Sequence, residues 1–520
     1  MSNQAINDDG SINRHPNRVK RIEGSQNIFL VGIKGVAMAN LAIILKRMGN
    51  QVTGSDMAEE FITDDPLKKN KITWQIGFNP KNLPKSTDLI VYSAAHQGDK
   101  NPQIREAEKR GIKVVSQADL LGRLTSQFKN SIAVCGCHGK TTASSLLAYS
   151  LLKLGADPSC MVGSSSFNNY PGGDYKSNKY FIVEADEYGV NPPDDLTPKF
   201  HFLKPNYVLC TNIDFDHPDV YKNIDEVKTA YKAFFAISLY RYNDIHSRLF
   251  FCADDENLIS VAKLLPRKSY LTYGFSKSAD LRITEFRREK DGSSFQLDFN
   301  TERHSGKRVK RARPESSLDS GVVRRFGGLP RMTVKLFGEK NISNTAGVVL
   351  TLLQLGFDQT KIKLAIKDFT GAKRRFEKVY SKNDTWLFDD YAHHPNEIKA
   401  TISAARSRFP KKRIVVIFQP HTYSRTQALL KDFATSLSLA DKTFILPIFP
   451  SARENPKNFN ISSKNIANLN PKRLKYVKNK SELFLNLKSY FLNQDIIFTL
   501  GAGDVYKLKD DIIDIVRKIK

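Results

Sequence analysis

One stretch, AVCGCHGKTTASS from Ala133 to Ser145, gathers side chains that could hold either a phosphate or a metal ion. It follows an apolar run with the pattern of a buried strand and precedes a run with the pattern of a helix. A glycine-rich turn in that position points backbone N–H groups at an anion, and the helix N-terminus adds positive potential. We therefore predict a phosphate loop, whose nucleotide-binding residues are Gly136, Cys137, His138, Gly139, Lys140, Thr141 and Thr142.

Two side chains of this loop have specific chemistry. Lys140 can reach the β- and γ-phosphates of a nucleotide, and Thr141 can offer its hydroxyl to Mg²⁺. The alternative is a metal cluster built on Cys135 and Cys137. That reading lacks a second ligand pair at any familiar zinc spacing, so we interpret Cys135 as a buried strand residue.

Two other segments end apolar strands with groups that can bind Mg²⁺. The residues concerned are Glu184, Asp186 and Glu187 in VEADEY, and Asp214, Asp216 and His217 in TNIDFDHPD. Taken singly, each cluster is typical of a solvated loop. Carboxylates at strand ends beside a phosphate loop could instead hold one or two Mg²⁺ ions against the phosphates, and we favour that interpretation.

Strands alternate with helices along most of the chain, which predicts an α/β protein with parallel sheets. We expect a disordered tail over residues 1–25 and three domains over residues 26–126, 127–371 and 372–520. A basic insertion at about residues 301–326 lies in the second domain. We interpret it as a mobile surface loop, although a nucleic-acid site is the alternative.

Composition limits the remaining possibilities. The 520 residues are 40% hydrophobic and 26% charged, as in a soluble globular protein, and no apolar run is long enough to span a bilayer. Five cysteines spread through the chain argue against a disulfide framework and favour the cytoplasm. The net charge of +26 is scattered, so we expect no nucleic-acid partner, while a positive field would attract anionic small substrates.

Seven segments occur in an order that resembles the Mur ligase family. They are GCHGKTT, EADEY, TNIDFDHPD, GAKRRF, DDYAHHPNE, FQPHTYSRT and GAGDV. The resemblance covers roughly residues 27–510. It implies a Rossmann-like N-terminal domain that binds UDP, a central phosphate-loop ATPase domain with a parallel sheet, and a Rossmann-like C-terminal domain that helps to bind an amino acid.

The resemblance also implies roles for individual residues. Those of the central domain would be Mg²⁺ ligation by Thr141, Glu184 and His217, adenine contact by Asn341 and Asn344, and contact with the ATP phosphates by Arg375. Substrate-binding residues would be Gly32, Gly35, Asp56, His393, His421 and Arg425. The catalytic group would consist of Lys140, Glu184, His217 and His393.

The reaction implied is the ATP-dependent joining of L-alanine to the lactyl carboxylate of UDP-N-acetylmuramate, through an acyl phosphate, in peptidoglycan synthesis. A sibling ligase that attaches a recycled peptide to the same sugar nucleotide is the alternative. ATP and Mg²⁺ are the expected cofactors, and we expect a cytoplasmic monomer or weak homodimer without membrane insertion.

Two readings from other classes compete with this one. A nicotinamide-dependent oxidoreductase would use VGIKGVAM as its dinucleotide loop, but glycine is missing at Lys34 and Ala37. A nucleic-acid-stimulated NTPase would explain the phosphate loop and the net charge. It leaves DDYAHHPNE and FQPHTYSRT unexplained.

Overall fold

The computed structural model describes residues 26–240, 248–300, 329–450 and 454–518. The predicted tail and the predicted basic insertion lie outside the described residues. The described chain forms three main sheets, one after another along the sequence, with helices packed on them. The prediction of a three-domain α/β protein is confirmed, and the exact domain boundaries stay predictions.

The first sheet contains five parallel strands in the order β3-β2-β1-β4-β5. Its elements are β1 (Asn27–Val31), α1 (Val36–Arg47), β2 (Gln51–Asp56), α2 (Asp64–Lys69), β3 (Thr73–Ile76), β4 (Leu89–Tyr92), α3 (Pro102–Lys109), β5 (Lys113–Ser116) and α4 (Gln117–Thr125). The strand order switches at β1, because β2 and β3 lie on one side of it and β4 and β5 on the other. Ligands of open α/β sheets bind at such a switch point, and the glycine-rich loop follows β1 there.

The central domain is built on a ten-stranded sheet. Its first half comprises β6 (Asn130–Cys135), α5 (Lys140–Lys153), β7 (Ser159–Phe167), β8 (Tyr170–Asp174), β9 (Tyr180–Glu184), the hairpin β10 (Gly189–Asn191) and β11 (Asp195–Pro198), β12 (Tyr207–Cys210) and α6 (Ile224–Tyr240). Its second half comprises β13 (Leu249–Cys252), α7 (Glu256–Ala262), β14 (Tyr270–Gly274), β15 (Leu281–Glu289), β16 (Gly292–Phe299), β17 (Met332–Val334), α8 (Glu339–Gln354) and α9 (Gln359–Ile366).

The C-terminal sheet has six strands in the order β18-β19-β23-β20-β21-β22, and only the first pair is antiparallel. Its elements are β18 (Glu377–Lys382), β19 (Thr385–Asp390), α10 (Pro395–Arg408), β20 (Ile414–Phe418), α11 (Tyr423–Ala428), α12 (Leu430–Leu437), β21 (Lys442–Ile445), α13 (Ser463–Asn468), β22 (Leu474–Tyr476), α14 (Lys480–Tyr490), β23 (Ile496–Leu500) and α15 (Lys509–Arg517). None of the helices in the described ranges is both long and apolar enough to cross a membrane.

The central strands β9, β6 and β12 are parallel neighbours. Their carboxyl ends therefore meet at one edge of the sheet, and the loops that follow them carry Glu184, the phosphate loop and Asp214. Both strands β6 and β12 are almost fully buried, as expected for a parallel sheet covered on both faces. The fold thus brings chemistry-bearing groups from three separate segments to one edge.

Arg374 lies at the start of the C-terminal domain and links two of its segments, β19 and the loop after β23. Its guanidinium is buried, donates to Asp389 at 2.9 Å and to the Gly501 carbonyl at 2.6 Å, and lies 4.4 Å from the centre of the Tyr506 ring. No role was predicted for this arginine from the sequence. Its buried charge is satisfied only while β19 and the loop after β23 stay in place.

Replacement of Arg374 by methionine should therefore destabilise the protein by about 3–5 kcal/mol, because the buried carboxylate of Asp389 is left without its partner. Chemical denaturation followed by circular dichroism measures the loss. The double variant Arg374→Met/Asp389→Leu leaves no unpaired charge and should recover much of it. Equal losses in the single and double variants would contradict this account of the pair.

Candidate functional site

The phosphate loop connects β6 to α5 and depends on two glycines with left-handed backbones. Gly136 has φ +126°, and a Cβ there would lie 2.1 Å from the Thr211 hydroxyl. Gly139 has φ +84°, and a Cβ there would lie 2.6 Å from the Asn344 amide. Larger residues would be strained at both positions and would also clash, so the shape of the loop requires glycine.

Lys140 lies back across its own loop. Its ammonium donates to the Gly136 carbonyl at 2.7 Å and to both oxygens of Glu187 at 2.8 and 3.0 Å. Burial opposes the charged form, but the carboxylates of Glu187 and Glu184 outweigh burial and raise the pKa of Lys140. The lysine is therefore a fixed positive charge at the rim of the loop.

Cys137 faces the protein interior. Its thiol donates to the Asp214 carbonyl at 2.9 Å and accepts from the Asp214 N–H at 3.1 Å. Burial raises the pKa of this thiol well above its usual range, so it stays uncharged. The side chain thus ties the loop to the segment after β12.

The structure brings two of the three predicted magnesium ligands together. The Thr141 hydroxyl donates to Oε1 of Glu184 at 3.3 Å, and Oε2 of the same carboxylate accepts from the Gly163 N–H at 2.9 Å. His217 lies instead with neighbouring carboxylates, 3.8 Å from Glu187 and 3.7 Å from Asp216. Burial lowers the pKa of His217 to about 4 against the opposing effect of Asp216, and a neutral imidazole is the ligand form.

A cavity of about 680 Å³ opens beside the phosphate loop, between the N-terminus of α8 and α10. His138, Gly139, Asn341, Asn344 and Arg375 all line it. The predicted adenine contacts and the predicted phosphate contacts therefore share one space. Its volume falls in the range of small-molecule and cofactor sites.

Arg375 reaches from the interdomain connection into the phosphate loop. Its guanidinium donates to the Thr141 hydroxyl at 3.1 Å and lies 3.6 Å from the Glu397 carboxylate. The Tyr391 ring lies 5.0 Å away and packs against it. A positive charge from outside the central sheet thus contacts the phosphate loop at Thr141.

His138 lies between a carboxylate of the central domain and a carboxylate of the C-terminal domain. Its Nε2 lies 2.9 Å from Asp214, and its Nδ1 lies 3.5 Å from Glu397 of the C-terminal domain. Burial alone would lower the pKa of His138, but Asp214 and Glu397 outweigh burial and raise the pKa to about 10. His138 is therefore an imidazolium between two carboxylates.

The three residues predicted to place the amino acid come together. The ring centroids of His393 and His421 are 6.2 Å apart, and Arg425 donates to the His421 carbonyl at 3.3 Å. Arg425 is buried and pairs with Asp216 of the central domain at 2.7 Å. A buried ion pair thus links the residues predicted to bind the amino acid to the central domain.

The first domain carries the remaining predicted substrate contacts. Gly32 has φ +73°, and a Cβ there would lie 3.0 Å from the His96 ring. Gly35 immediately precedes α1. The buried carboxylate of Asp56 accepts from the N–H groups of Lys34 and Met57, both at 2.7 Å, so it fixes the glycine-rich loop from within.

Sequence analysis missed Glu397 and His394, although both belong to the quoted segment DDYAHHPNE. They form a capping box at the start of α10, in which His394 accepts from the Asn396 N–H and Glu397 receives the N–H of His394. The spacing of a cap residue and a glutamate three positions later was the available signal. It predicts a helix start, but not the contacts of these side chains with His138 and Phe215.

Three family descriptions match successive parts of the chain. The Mur ligase family catalytic domain matches residues 27–129, the Mur ligase middle domain matches residues 134–352, and the Mur ligase glutamate ligase domain matches residues 374–503. Among curated proteins, the UDP-N-acetylmuramate–L-alanine ligase of Desulfitobacterium hafniense is 33% identical over 94% of this chain and 99% of its own length.

Two solved structures share the fold. The UDP-N-acetylmuramate–alanine ligase of Thermotoga maritima has a TM-score of 0.71 at 23% identity and covers 94% of this chain and 99% of its own. A murein peptide ligase of Psychrobacter arcticus has a TM-score of 0.70 at 21% identity and covers 95% of this chain and 100% of its own. The fold alone therefore does not separate these two activities.

Lys140→Ala should reduce nucleotide-dependent phosphate release by at least about 100-fold, since it removes the positive charge that the sequence predicts at the β- and γ-phosphates. Lys153→Ala, in the exposed last turn of the same helix, is the matched control and should retain activity. The double variant Lys140→Ala/Glu187→Gln leaves no buried carboxylate unpaired and should be equally inactive. Near-normal phosphate release by either Lys140 variant would show that the lysine has been misassigned.

The charge of His138 should make stability depend on pH. Its folded pKa of about 10 lies above the ordinary 6.5, so its contribution is fully present below about pH 6.5 and is lost as the pH rises through about 10. The difference in unfolding free energy between the wild type and His138→Gln should shrink by at least about 1 kcal/mol over that range. Parallel stability curves for the two proteins would contradict the assignment.

Proposed function

The chain belongs to the Mur ligase family, and we propose that it joins L-alanine to the lactyl carboxylate of UDP-N-acetylmuramate at the expense of ATP. The observation that carries this proposal is 33% identity over 94% of the chain with a ligase of that name, and the hydrogen bond from Arg375 to Thr141 of the phosphate loop agrees with it. The murein peptide ligase shares the fold at 21% identity, so its activity is the alternative outcome of the test below.

The chemistry begins with an unreactive acid. A carboxylate does not condense with an amine, because oxide or hydroxide is a poor leaving group. The lactyl carboxylate attacks the γ-phosphorus of ATP, the bond from that phosphorus to the β,γ-bridging oxygen breaks, and ADP leaves. The α-amine of alanine then attacks the acyl carbon, and inorganic phosphate departs as the amide forms.

Two anions must meet in the first step, and the site supplies positive charge where they meet. Lys140 and Arg375 both lie within hydrogen-bonding distance of phosphate-loop groups, 2.7 Å from the Gly136 carbonyl and 3.1 Å from the Thr141 hydroxyl. Coulomb attraction at such range is strong where water is partly excluded. We propose that these two cations stabilise the charge on the transferring phosphoryl group.

Thr141, Glu184 and His217 would hold Mg²⁺. The hydroxyl of Thr141 and the carboxylate of Glu184 fit this ion, because Mg²⁺ prefers oxygen ligands, and both face the rim of the phosphate loop. When bound there, the ion would offset negative charge on the β- and γ-phosphates. His217 lies beside Glu187 and Asp216 and would have to turn toward Thr141 and Glu184 to contribute its imidazole, whose pKa of about 4 leaves it unprotonated at neutral pH.

The substrates would occupy the cleft from three sides. The cavity beside Asn341 and Asn344 would receive adenosine, with the phosphates on the loop. The glycine-rich loop of the first domain would receive the UDP diphosphate. Alignment of reactants in this way can supply about 7–11 kcal/mol of the barrier reduction.

The amine step requires a proton acceptor, since only a neutral amine attacks. His393 is the candidate, because it lies between Glu397, at 3.2 Å, and the His421 ring. The carboxylate of alanine would approach Arg425, whose guanidinium is held in place by Asp216. A cytoplasmic location and a monomeric or weakly dimeric state, which the sequence analysis expects, remain part of the proposal.

The proposal predicts ADP and phosphate release only when UDP-N-acetylmuramate, ATP, Mg²⁺ and an amino acid are all present. L-Alanine should exceed glycine in kcat/KM by at least about tenfold, because a methyl group in a fitted pocket is worth about 1–3 kcal/mol. A coupled ADP assay, with mass spectrometry of the sugar-nucleotide product, measures both. Omission of each reactant in turn is the control.

Product formed from a cell-wall tripeptide, and not from L-alanine, would assign the chain to the sibling activity instead. ADP release without any new amide bond would contradict both assignments.

A further inference from the structure

Three side chains from separate segments converge at the wall of the nucleotide cavity. They are His138 on the phosphate loop, Asp214 after β12, and His394 at the start of α10. One ligand atom from each lies within 4.8 Å of the other two, and the two imidazole rings are 4.6 Å apart. The cluster could not be predicted from residue spacing, because His394 belongs to the C-terminal domain and is far from the other two in the chain.

The nitrogen of each imidazole that faces away from Asp214 lies near an oxygen of the protein. The Nδ1 of His138 lies 3.5 Å from the Glu397 carboxylate, while its Nε2 faces Asp214 at 2.9 Å. The Nε2 of His394 lies 3.2 Å from the Phe215 carbonyl, while its Nδ1 lies 3.9 Å from Asp214. Metal-binding histidines typically use their second nitrogen in this way, toward a carboxylate or a backbone carbonyl.

We propose that His138, Asp214 and His394 form a binding site for a Zn²⁺-class transition-metal ion that bridges the phosphate loop and the C-terminal domain. Two imidazoles and one carboxylate match the three-ligand sites of zinc, in which water or a substrate oxygen completes the tetrahedron. The nitrogen donors favour Zn²⁺ or Co²⁺ over Mg²⁺, which prefers oxygen.

Two of the three ligand atoms must first be released by Asn396, whose N–H donates to Nδ1 of His394 at 3.3 Å and whose side-chain amide donates to the same oxygen of Asp214. Tetrahedral zinc with bonds of about 2.0–2.1 Å needs ligand atoms about 3.3 Å apart. The Asp214 oxygen lies 2.9 Å from one imidazole nitrogen and 3.9 Å from the other, on either side of that value. His138 and Asp214 also line the cavity, which gives an ion a path to the site.

Charge at the site also favours a cation. The Asp214 and Glu397 carboxylates flank His138, and a metal ion would take the place of the proton on its Nε2. The exchange adds one positive charge between two carboxylates and gives the proton to solvent. A bound ion would hold α10 against the phosphate loop and, where the proposed ligase function applies, slow the opening that releases product.

A second cluster in the same cleft must be distinguished from this one. Glu187, Asp216 and His217 also place one ligand atom each within 4.8 Å of the others. It has one imidazole rather than two, and His217 belongs to the proposed magnesium site. Variants of His394 and His217 therefore separate the two clusters.

The experiment is equilibrium dialysis of the purified full chain against ZnCl₂ in excess MgCl₂, with bound metal measured by mass spectrometry. Co²⁺ replaces Zn²⁺ in a parallel series, since its visible absorption reports a four-coordinate site. We expect one ion per chain in the wild type and in His217→Gln. His394→Asn should weaken binding by at least about 100-fold, whereas Glu397→Gln should weaken it by about 10–100-fold.

His394→Asn keeps an N-cap residue for α10, so loss of binding would not reflect loss of the helix start. Its thermal unfolding without metal should match that of the wild type within a few degrees. Zinc binding that survives His394→Asn, or that is lost in His217→Gln, would overturn the proposed site, and so would no binding to the wild type. Turnover without zinc is measured separately, so an inactive wild type would count against the ligase function and not against the site.

Discussion

The cleft depends on charges that are buried and must be paired. His138 lies between Asp214 and Glu397, and Arg425 forms an ion pair with Asp216. Two positive groups and three carboxylates therefore link the central and C-terminal domains. Leaving one buried charge without its partner costs several kcal/mol, much more than a surface pair contributes. The two domains are therefore stable in contact only in an arrangement that satisfies all of these groups together.

The same arrangement makes the cleft chemically useful. Arg375 contacts Thr141 only when its segment lies on the phosphate loop, and Glu397 contacts His138 only when α10 does so. Packing of the C-terminal domain on the central domain thus makes both contacts together. Separation of the two domains would expose these buried pairs, and water or ligands would then have to replace their partners.

The strands, the helices and the phosphate loop could be predicted from the sequence, because local residue patterns determine them. The phosphate loop followed from glycines between a strand and a helix, and Gly136 and Gly139 both have the left-handed backbone that such a loop needs. Strand ends with carboxylates predicted that Glu184 and Asp214 lie near the loop. The contacts of His394 and Glu397 could not be predicted, because they depend on how the C-terminal sheet packs on the central one. Arg374 was missed for the same reason, since its partners follow it by fifteen residues or more in the chain.

In the proposed reaction, the acid is activated by phosphorylation before the amine attacks. The most direct measurement uses UDP-N-acetylmuramate labelled with ¹⁸O in both oxygens of its lactyl carboxylate, with ATP, Mg²⁺ and L-alanine, and mass analysis of the products. The account predicts one ¹⁸O in the inorganic phosphate and one in the new amide. Inorganic phosphate free of ¹⁸O, with the amide still formed, would contradict it.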